Sequence, residues 1–339
     1  MKILVTGANG YIGNPLSLQL LNDNIHDCLL VDSGMRDKWV KEVGGCSLTE
    51  YPQAKFLYCN IANSQECLNV LQYFQPDVII HLASQPSGPY SEISLAHRTY
   101  TQTNNLQMLL NLLTGSHELG LNPKFIVTTT TGIPGAPGDP IIEGQTPNLA
   151  GSAYHASRGF DTANLALAVK QWKFRVLELR TSIVYGIHTD LIDEPVTRFD
   201  WDFFFGTAVH RFCLMRRMNK PITIYGKGLQ KKPFISLRDM IESLINAIDY
   251  EVSGHEIMNQ TTGAISIVDV AKEIGGAVEH IPNPRVENEE HQMIIHNSKF
   301  LKLLKDNHSP ISYEAKLILK HINPGLLPSY WEQIYAGKL

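Results

Sequence analysis

A chain of 339 residues, 43% hydrophobic and carrying a formal net charge of −4, can bury a large core in one or two domains. It has no basic run to suggest nucleic acid and no acidic tail to suggest a binding arm, and no apolar run reaches the ~20 residues that span a bilayer. The five cysteines, at 28, 46, 59, 67 and 213, include no CxxC pair and read as reduced core thiols. Because the chain opens directly on its first strand, a cytoplasmic protein without a leader is expected.

That first strand, Ile3–Thr6, runs into glycines at 7, 10 and 13, and Tyr11 to Leu21 reads as a helix. A strand, a glycine turn and a helix N-terminus together make a phosphate cradle. The glycines let backbone approach an anion, and the free N–H groups and positive dipole end of the helix stabilise it. The spacing is GxxGxxG rather than GxGxxG, and a tight turn without a ligand would use the same residues. Gly7, Gly10, Tyr11, Ile12 and Gly13 are therefore candidates for cofactor contact.

The second strand, Cys28–Asp32, ends in an acid 19 residues after Gly13. A carboxylate near that spacing accepts from both hydroxyls of an adenosine ribose and repels a 2′-phosphate, which favours NAD over NADP. Arg36 argues the other way, since an arginine can hold a 2′-phosphate, but Asp32 is better placed. Residues 33–54 read as an irregular insertion before a strand at Lys55–Cys59, and Asn60 and Ile61 end that strand where an adenine edge could sit. A helix over Ser64–Phe74 and a strand over Val78–His81 come next. Small residues in His81-Leu82-Ala83-Ser84-Gln85 would let backbone pass close to a cofactor, and His81 reads as a packed strand-end histidine.

Ser91–Gly115 carries a long helical pattern with Asn104 and Asn105 near its middle. The strand Phe125–Thr129 leads into a run of four threonines, 128–131. Threonine suits strands, but a hydroxyl at the C-terminal end of a parallel strand points into the crevice where such sheets bind ligands. In the helix Ser152–Trp172, Tyr154 and Arg158 share a face one turn apart. The strand Arg175–Arg180 and Ile183–Gly186 complete an alternation that predicts an α/β fold with a Rossmann-type doubly wound parallel sheet.

After residue 187 the pattern changes. The stretch 188–206 reads as an acidic, aromatic loop, followed by a basic helix (Ala208–Met218), a short strand (Ile222–Tyr225) and a polar turn over 226–233. Leu237–Asp249 reads as a helix. Another runs from an N-cap at Ser266 to Ile274 and stops at Gly275-Gly276; a proline-rigid loop at 281–285 and a helical tail come last. The expected division is an NAD-binding domain over 1–187, with 236–261 returning to it, and a smaller substrate-binding lid over 188–235 and 262–339. His291 and His296 lack a third ligand at sensible spacing, so no metal is expected.

TGxxGxxG, Asp32, HLA at 81–83, threonine on the fifth strand, YxxxR at 154–158 and VYG at 184–186 together resemble the extended short-chain dehydrogenases, the NAD-dependent nucleotide-sugar epimerases and dehydratases. The segments 31–36, 47–49, 85–91, 100–105, 205–208, 225–228 and 282–287 resemble the UDP-sulfoquinovose synthase branch of that family. The resemblance implies NAD as cofactor, with Leu82 and Ala83 beside it, and a nucleotide sugar, most simply a UDP-hexose, as substrate. Tyr154 would be the general base and Thr130 would hydrogen-bond the same sugar hydroxyl. Arg158 stands where the family has a lysine that lowers the tyrosine pKa and holds the nicotinamide ribose. Gln85, Ser87, Tyr90, Asn105 and His155 would contact the sugar, and Arg211, Lys232 and Arg285 the diphosphate.

The chain departs from that branch at Pro86, where an arginine is usual, and at Ile133 and Pro134, which replace an acid and a phenol. Exchanging lysine for arginine at 158 keeps the charge but not the compact ammonium. Oxidation at sugar C4 survives these changes more easily than sulfite addition at C6. Three outcomes stay open: a nucleotide-sugar enzyme, an oxidoreductase on another alcohol, and an NAD-binding sensor with impaired catalysis. By analogy with the family, the helices 91–115 and 152–172 would form a homodimer interface.

Overall fold

The computed structural model describes residues 1–35, 48–133, 140–144, 151–187, 204–283, 292–305 and 308–322. Arg36, Pro134, Gly135, Arg285 and His291 lie outside the described residues, as do Cys46 and most of the 188–206 loop.

Strands β1 (Lys2–Thr6), β2 (Asp27–Asp32), β3 (Phe56–Tyr58), β4 (Val78–His81), β5 (Lys124–Thr130), β6 (Arg175–Thr181) and β10 (His255–Gln260) form one parallel sheet in the order β10-β6-β5-β4-β1-β2-β3. The order reverses between β1 and β4, and a crevice opens there beyond the carboxyl ends of the strands. Both sheet faces are apolar, because parallel strands are covered by helices on each side. On one face, α1 (Gly13–Asp23) and α7 (Leu237–Asp249) pack over Ile3, Val5, Leu30 and Ile80. On the other, α2 (Ser64–Phe74), α4 (Leu95–Glu118) and α5 (Ala153–Trp172) pack over Leu4, Ile79, Phe125 and Val127. Burying each such side chain contributes about 1.5–3 kcal/mol.

The long helix expected from residue 91 is two helices. A single turn, α3 (Gly88–Ser91), is capped by Ser87, whose Oγ accepts from the Tyr90 N–H; the chain then breaks, and Ser94 caps α4 in the same way from the His97 N–H. Each serine satisfies a donor that the first turn leaves orphaned, which is why the helices start there.

The remaining elements build a second, smaller core. Strands β7 (Ile183–Tyr185), β9 (Lys231–Ser236) and β11 (Gly263–Ser266) form a sheet in the order β11-β9-β7, and β8 (Ile222–Tyr225) pairs with β12 (Val278–Ile281). Helices α6 (Ala208–Arg217), α8 (Ile267–Ile274) and α9 (Ile311–His321) pack around Phe212, Ile224, Phe234 and Ile318. The polar turn expected over 226–233 therefore ends earlier, at residue 230, and its last three residues begin a strand.

Candidate active site

A cavity of about 590 Å³ lies over the carboxyl ends of the parallel strands and is lined from both cores. Its floor is the glycine turn. Gly7 holds φ at +73°, and a Cβ there would stand 2.6 Å from the Ala83 nitrogen. A Cβ on Gly13 would stand 2.0 Å from the Gly7 carbonyl oxygen. Side chains at either position would force the turn open, so backbone itself forms this surface. The strand-end Ala83 sits directly against Gly7, which is why a small residue follows β4.

At the end of β2, Asp32 takes a hydrogen bond on each carboxylate oxygen, from the Asn9 N–H (3.1 Å) and the Gly34 N–H (2.9 Å). These two donors fix the plane of the carboxylate at the cavity wall, and each of its oxygens can accept more than one hydrogen bond. Asn60, Ile61, Tyr11, Ile12 and Leu82 line the same wall.

The four threonines separate by what their hydroxyls do. Those of Thr128, Thr129 and Thr131 donate inward, to the His81 carbonyl, the Glu178 carboxylate and the Thr181 carbonyl. The Thr130 hydroxyl accepts from the Gly132 N–H at 3.2 Å, so its proton remains for a ligand in the cavity.

Tyr154 and Arg158 line the cavity from α5, with the guanidinium carbon 5.7 Å from the phenol ring centre. Burial pushes the Tyr154 phenol above its ordinary value; Arg158 lowers it, and the Asp161 carboxylate raises it again. The positive charge expected to depress this phenol is present, but desolvation outweighs it. Arg158 is buried, and its Nη1 donates to Asp161 Oδ2 at 2.7 Å. Its Nη2 is buried without a hydrogen-bond partner. Asp161 is a residue that sequence reasoning passed over, although its i+3 spacing from Arg158 is a readable pairing signal on a helix.

Further side chains line the cavity. His155 Nδ1 is bonded to Ser152 Oγ at 2.7 Å, and its ring lies over Gly132, where a Cβ would meet Cδ2 at 2.5 Å. Burial and the Lys232 charge both hold His155 below its ordinary value. Lys232, on β9, reaches the cavity from the smaller core, as do Phe204 and Phe205 just before α6. Gln85 and Pro86 line it as well.

Four residues expected to touch substrate lie off this wall. Asn105 is fully buried and braces Gln85: its Oδ1 accepts from the Gln85 N–H at 2.7 Å, and its Nδ2 donates to the Gln85 carbonyl and to Ser157 Oγ. Ser87 caps α3 and donates to the Phe204 carbonyl, Tyr90 packs its ring on His97 and Phe205, and Arg211 sits on α6 away from the cavity. Ile133, one of the two residues that replace an acid and a phenol, is buried and does not line the cavity, whereas Gly132 and His155 do; Pro134 lies outside the described residues. Among the described residues, no group of three or more His, Cys, Asp or Glu side chains is placed to hold a metal ion, and no helix is long and apolar enough to cross a membrane.

A sheet of this winding, with a glycine floor and an acid at the end of its second strand lining the switch-point crevice, defines the class of α/β dinucleotide-binding proteins. Within that class, the chain belongs to the NAD dependent epimerase/dehydratase family, whose model matches residues 3–259. It is 30% identical to the chloroplastic UDP-sulfoquinovose synthase of Spinacia oleracea, over 89% of this chain and 70% of that one. It is also 30% identical to the UDP-sulfoquinovose synthase of Sulfolobus acidocaldarius, over 86% and 84% of the two chains. Among solved structures, UDP-glucuronic acid 4-epimerase from Bacillus cereus, in complex with UDP-glucuronic acid and NAD, superposes with a TM-score of 0.77 at 24% identity, covering 95% of this chain and 98% of that one. NAD is the cofactor of the family, and the residues here fit it: a floor that admits no Cβ, and a buried Arg158 nitrogen in need of an acceptor.

Proposed function

We propose that this protein oxidises a nucleotide sugar, most simply a UDP-hexose, at C4 as the first step of an epimerase- or dehydratase-type reaction. The observation that carries this reading is the convergence of Thr130, Tyr154 and Arg158 on the cavity that the glycine floor and Asp32 also line. Tyr154 takes the proton from the C4 hydroxyl while Thr130 hydrogen-bonds the same oxygen. Arg158 holds its charge beside the phenol and offers Nη2 to a ribose hydroxyl. When bound, NAD⁺ supplies the acceptor for the C4 hydride and a second positive charge near the phenol. Lys232 meets the diphosphate, together with Arg285 from outside the described residues, while Gln85 and His155 face the sugar. The resulting C4 ketone acidifies the C5 proton, which opens the way to C5–C6 chemistry or to epimerisation.

A second reading concerns the chemistry after oxidation. The two 30%-identical relatives are UDP-sulfoquinovose synthases, which favours sulfite addition at C6. Pro86 on the wall, and Ile133 and Pro134 in place of an acid and a phenol, favour a reaction that returns the hydride to C4 without adding sulfite. We further propose a homodimer through the outer faces of α4 and α5, where Phe160 and Leu167 are about half exposed.

The test is to mix the NAD-loaded protein with UDP-glucose, UDP-galactose and UDP-glucuronate, with and without sulfite, and to monitor nicotinamide absorbance and the sugar products. Transient reduction with a UDP-sugar is expected, and Tyr154→Phe lowers its rate by about 10²–10⁴-fold with NAD still bound. Undiminished turnover in that variant overturns the assignment. Tight NAD binding with no reduction by any sugar assigns the chain to a sensor role instead.

A further inference from the structure

The Arg158–Asp161 pair is an expensive arrangement. Both side chains are essentially buried, 2% and 0% exposed, and only one hydrogen bond of 2.7 Å joins them. Arg158 Nη2 and Asp161 Oδ1 are buried with no hydrogen-bond partner. Taking two charges out of water costs several kcal/mol per ion, and a pair with unfilled hydrogen-bond positions recovers that poorly. A pair of this kind adds little stability, so its place beside the cavity needs another reason.

That reason lies in the geometry of arginine. A lysine ammonium has three donors on one nitrogen and can turn toward whatever acceptor is near; a guanidinium is a rigid planar fork that works only when its plane is fixed. Arg158 has its Nη1 tied back to Asp161, one turn further along α5, which leaves Nη2 as the arm free for the cavity. We infer that Asp161 is a positioning residue, which anchors one arm of the Arg158 guanidinium so that the other arm and the charge stand at fixed places beside Tyr154 and the cofactor ribose. The inference rests on the role proposed above for Tyr154.

Asp161 also acts on Tyr154 through its own charge, in the opposite direction. The charged groups around the phenol are Arg158 and Asp161; Asp161 in turn senses Glu178 on β6, and His81 on β4 senses Arg158. An anchor and a charge predict different results for two substitutions. Asp161→Asn removes the charge but keeps an oxygen to accept from Nη1. Asp161→Ala removes both and lets the guanidinium leave its position.

Tyr154 ionisation can be read without any substrate, as tyrosinate ultraviolet absorbance after subtracting the Tyr154→Phe spectrum, with NAD⁺ affinity measured by calorimetry on the same proteins. The expected result is opposite shifts. Asp161→Asn lowers the Tyr154 pKa with NAD⁺ affinity kept within about threefold, while Asp161→Ala raises it and weakens NAD⁺ about tenfold or more. Downward shifts in both variants reduce Asp161 to a charge and overturn the inference, as does the absence of any shift. Should the alanine variant fail to fold, Asp161→Val and Asp161→Leu carry the same test by filling the space without an acceptor, and NAD⁺ affinity unchanged in either one overturns the inference. Turnover separates the two readings. An inactive Tyr154→Phe with fully active Asp161 variants overturns only the positioning role, whereas a fully active Tyr154→Phe overturns the proposed function beneath it.

Discussion

The cavity has two walls made of different material. On the sheet side, the surface rests on a backbone floor, the glycine turn with the Ala83 nitrogen packed against Gly7, and the side chains of Asp32, Thr130, Tyr154 and Arg158 stand around it. On the side of the smaller core it is side chains, among them Lys232, Phe204 and Phe205. A backbone wall has few solutions, because any Cβ in it collides, so its sequence is tightly constrained. A side-chain wall can be rebuilt one residue at a time without disturbing the fold beneath. The glycine floor is therefore the part of the cavity least free to change, while the groups placed to meet a substrate are side chains contributed by both cores.

Three measurements can break or sharpen that contrast. The largest effect is expected for Gly13→Ala, whose Cβ would overlap the Gly7 carbonyl. NAD⁺ affinity should fall by at least about 10²-fold, or the protein should not fold at all. Retained binding, measured by calorimetry, would mean that the turn yields and the wall is not rigid. A smaller effect is expected from Lys232→Ala, which removes a cation from the opposite wall. The KM for a UDP-sugar should rise about tenfold, and less at high salt, with NAD⁺ affinity unchanged. Loss of both affinities together would show that the walls are not independent.

The smallest effect is a dependence of stability on pH. His81, at the end of β4, is buried with its Nδ1 2.8 Å from Thr6 Oγ1, and burial with the nearby Arg158 charge holds its pKa down to about 3. Its unfolded value is about 6.5, so between those two values the unfolded chain binds a proton that the native chain does not. Stability is thus whole above about pH 6.5 and is lost as pH falls toward 3, by at most about 1.4 kcal/mol per pH unit. His81→Asn should flatten the fall in urea midpoint between neutral pH and pH 5 by up to one proton's worth. An unchanged slope would show that His81 is already charged in the native state.

The same contrast explains how far the sequence could be read. The glycine turn, Asp32 and the alternation of strand and helix were legible because steric rules leave them few alternatives. The smaller core was less so. Its strands are short, and Lys231, Lys232 and Pro233 carry the composition of a turn while pairing as a strand. The break before α4 depends on one capping serine in a stretch that is otherwise helical. Asn105 has the chemistry of a ligand contact but spends it on Gln85 backbone. Asp161 looks like a solvated helix residue until the fold buries it against Arg158.

The path of the chain through its two cores has a consequence for how this fold can change. The chain leaves the parallel sheet after β6, returns through α7 and β10, and leaves again at β11. The last strand of the sheet, β10, pairs with β6 although β7, β8 and β9 lie between them in the chain. No single cut separates the two cores, and neither is one continuous stretch that could be exchanged whole for a segment of another protein. A new substrate wall must instead be acquired in place, residue by residue or loop by loop, on a thread already stitched through the cofactor fold.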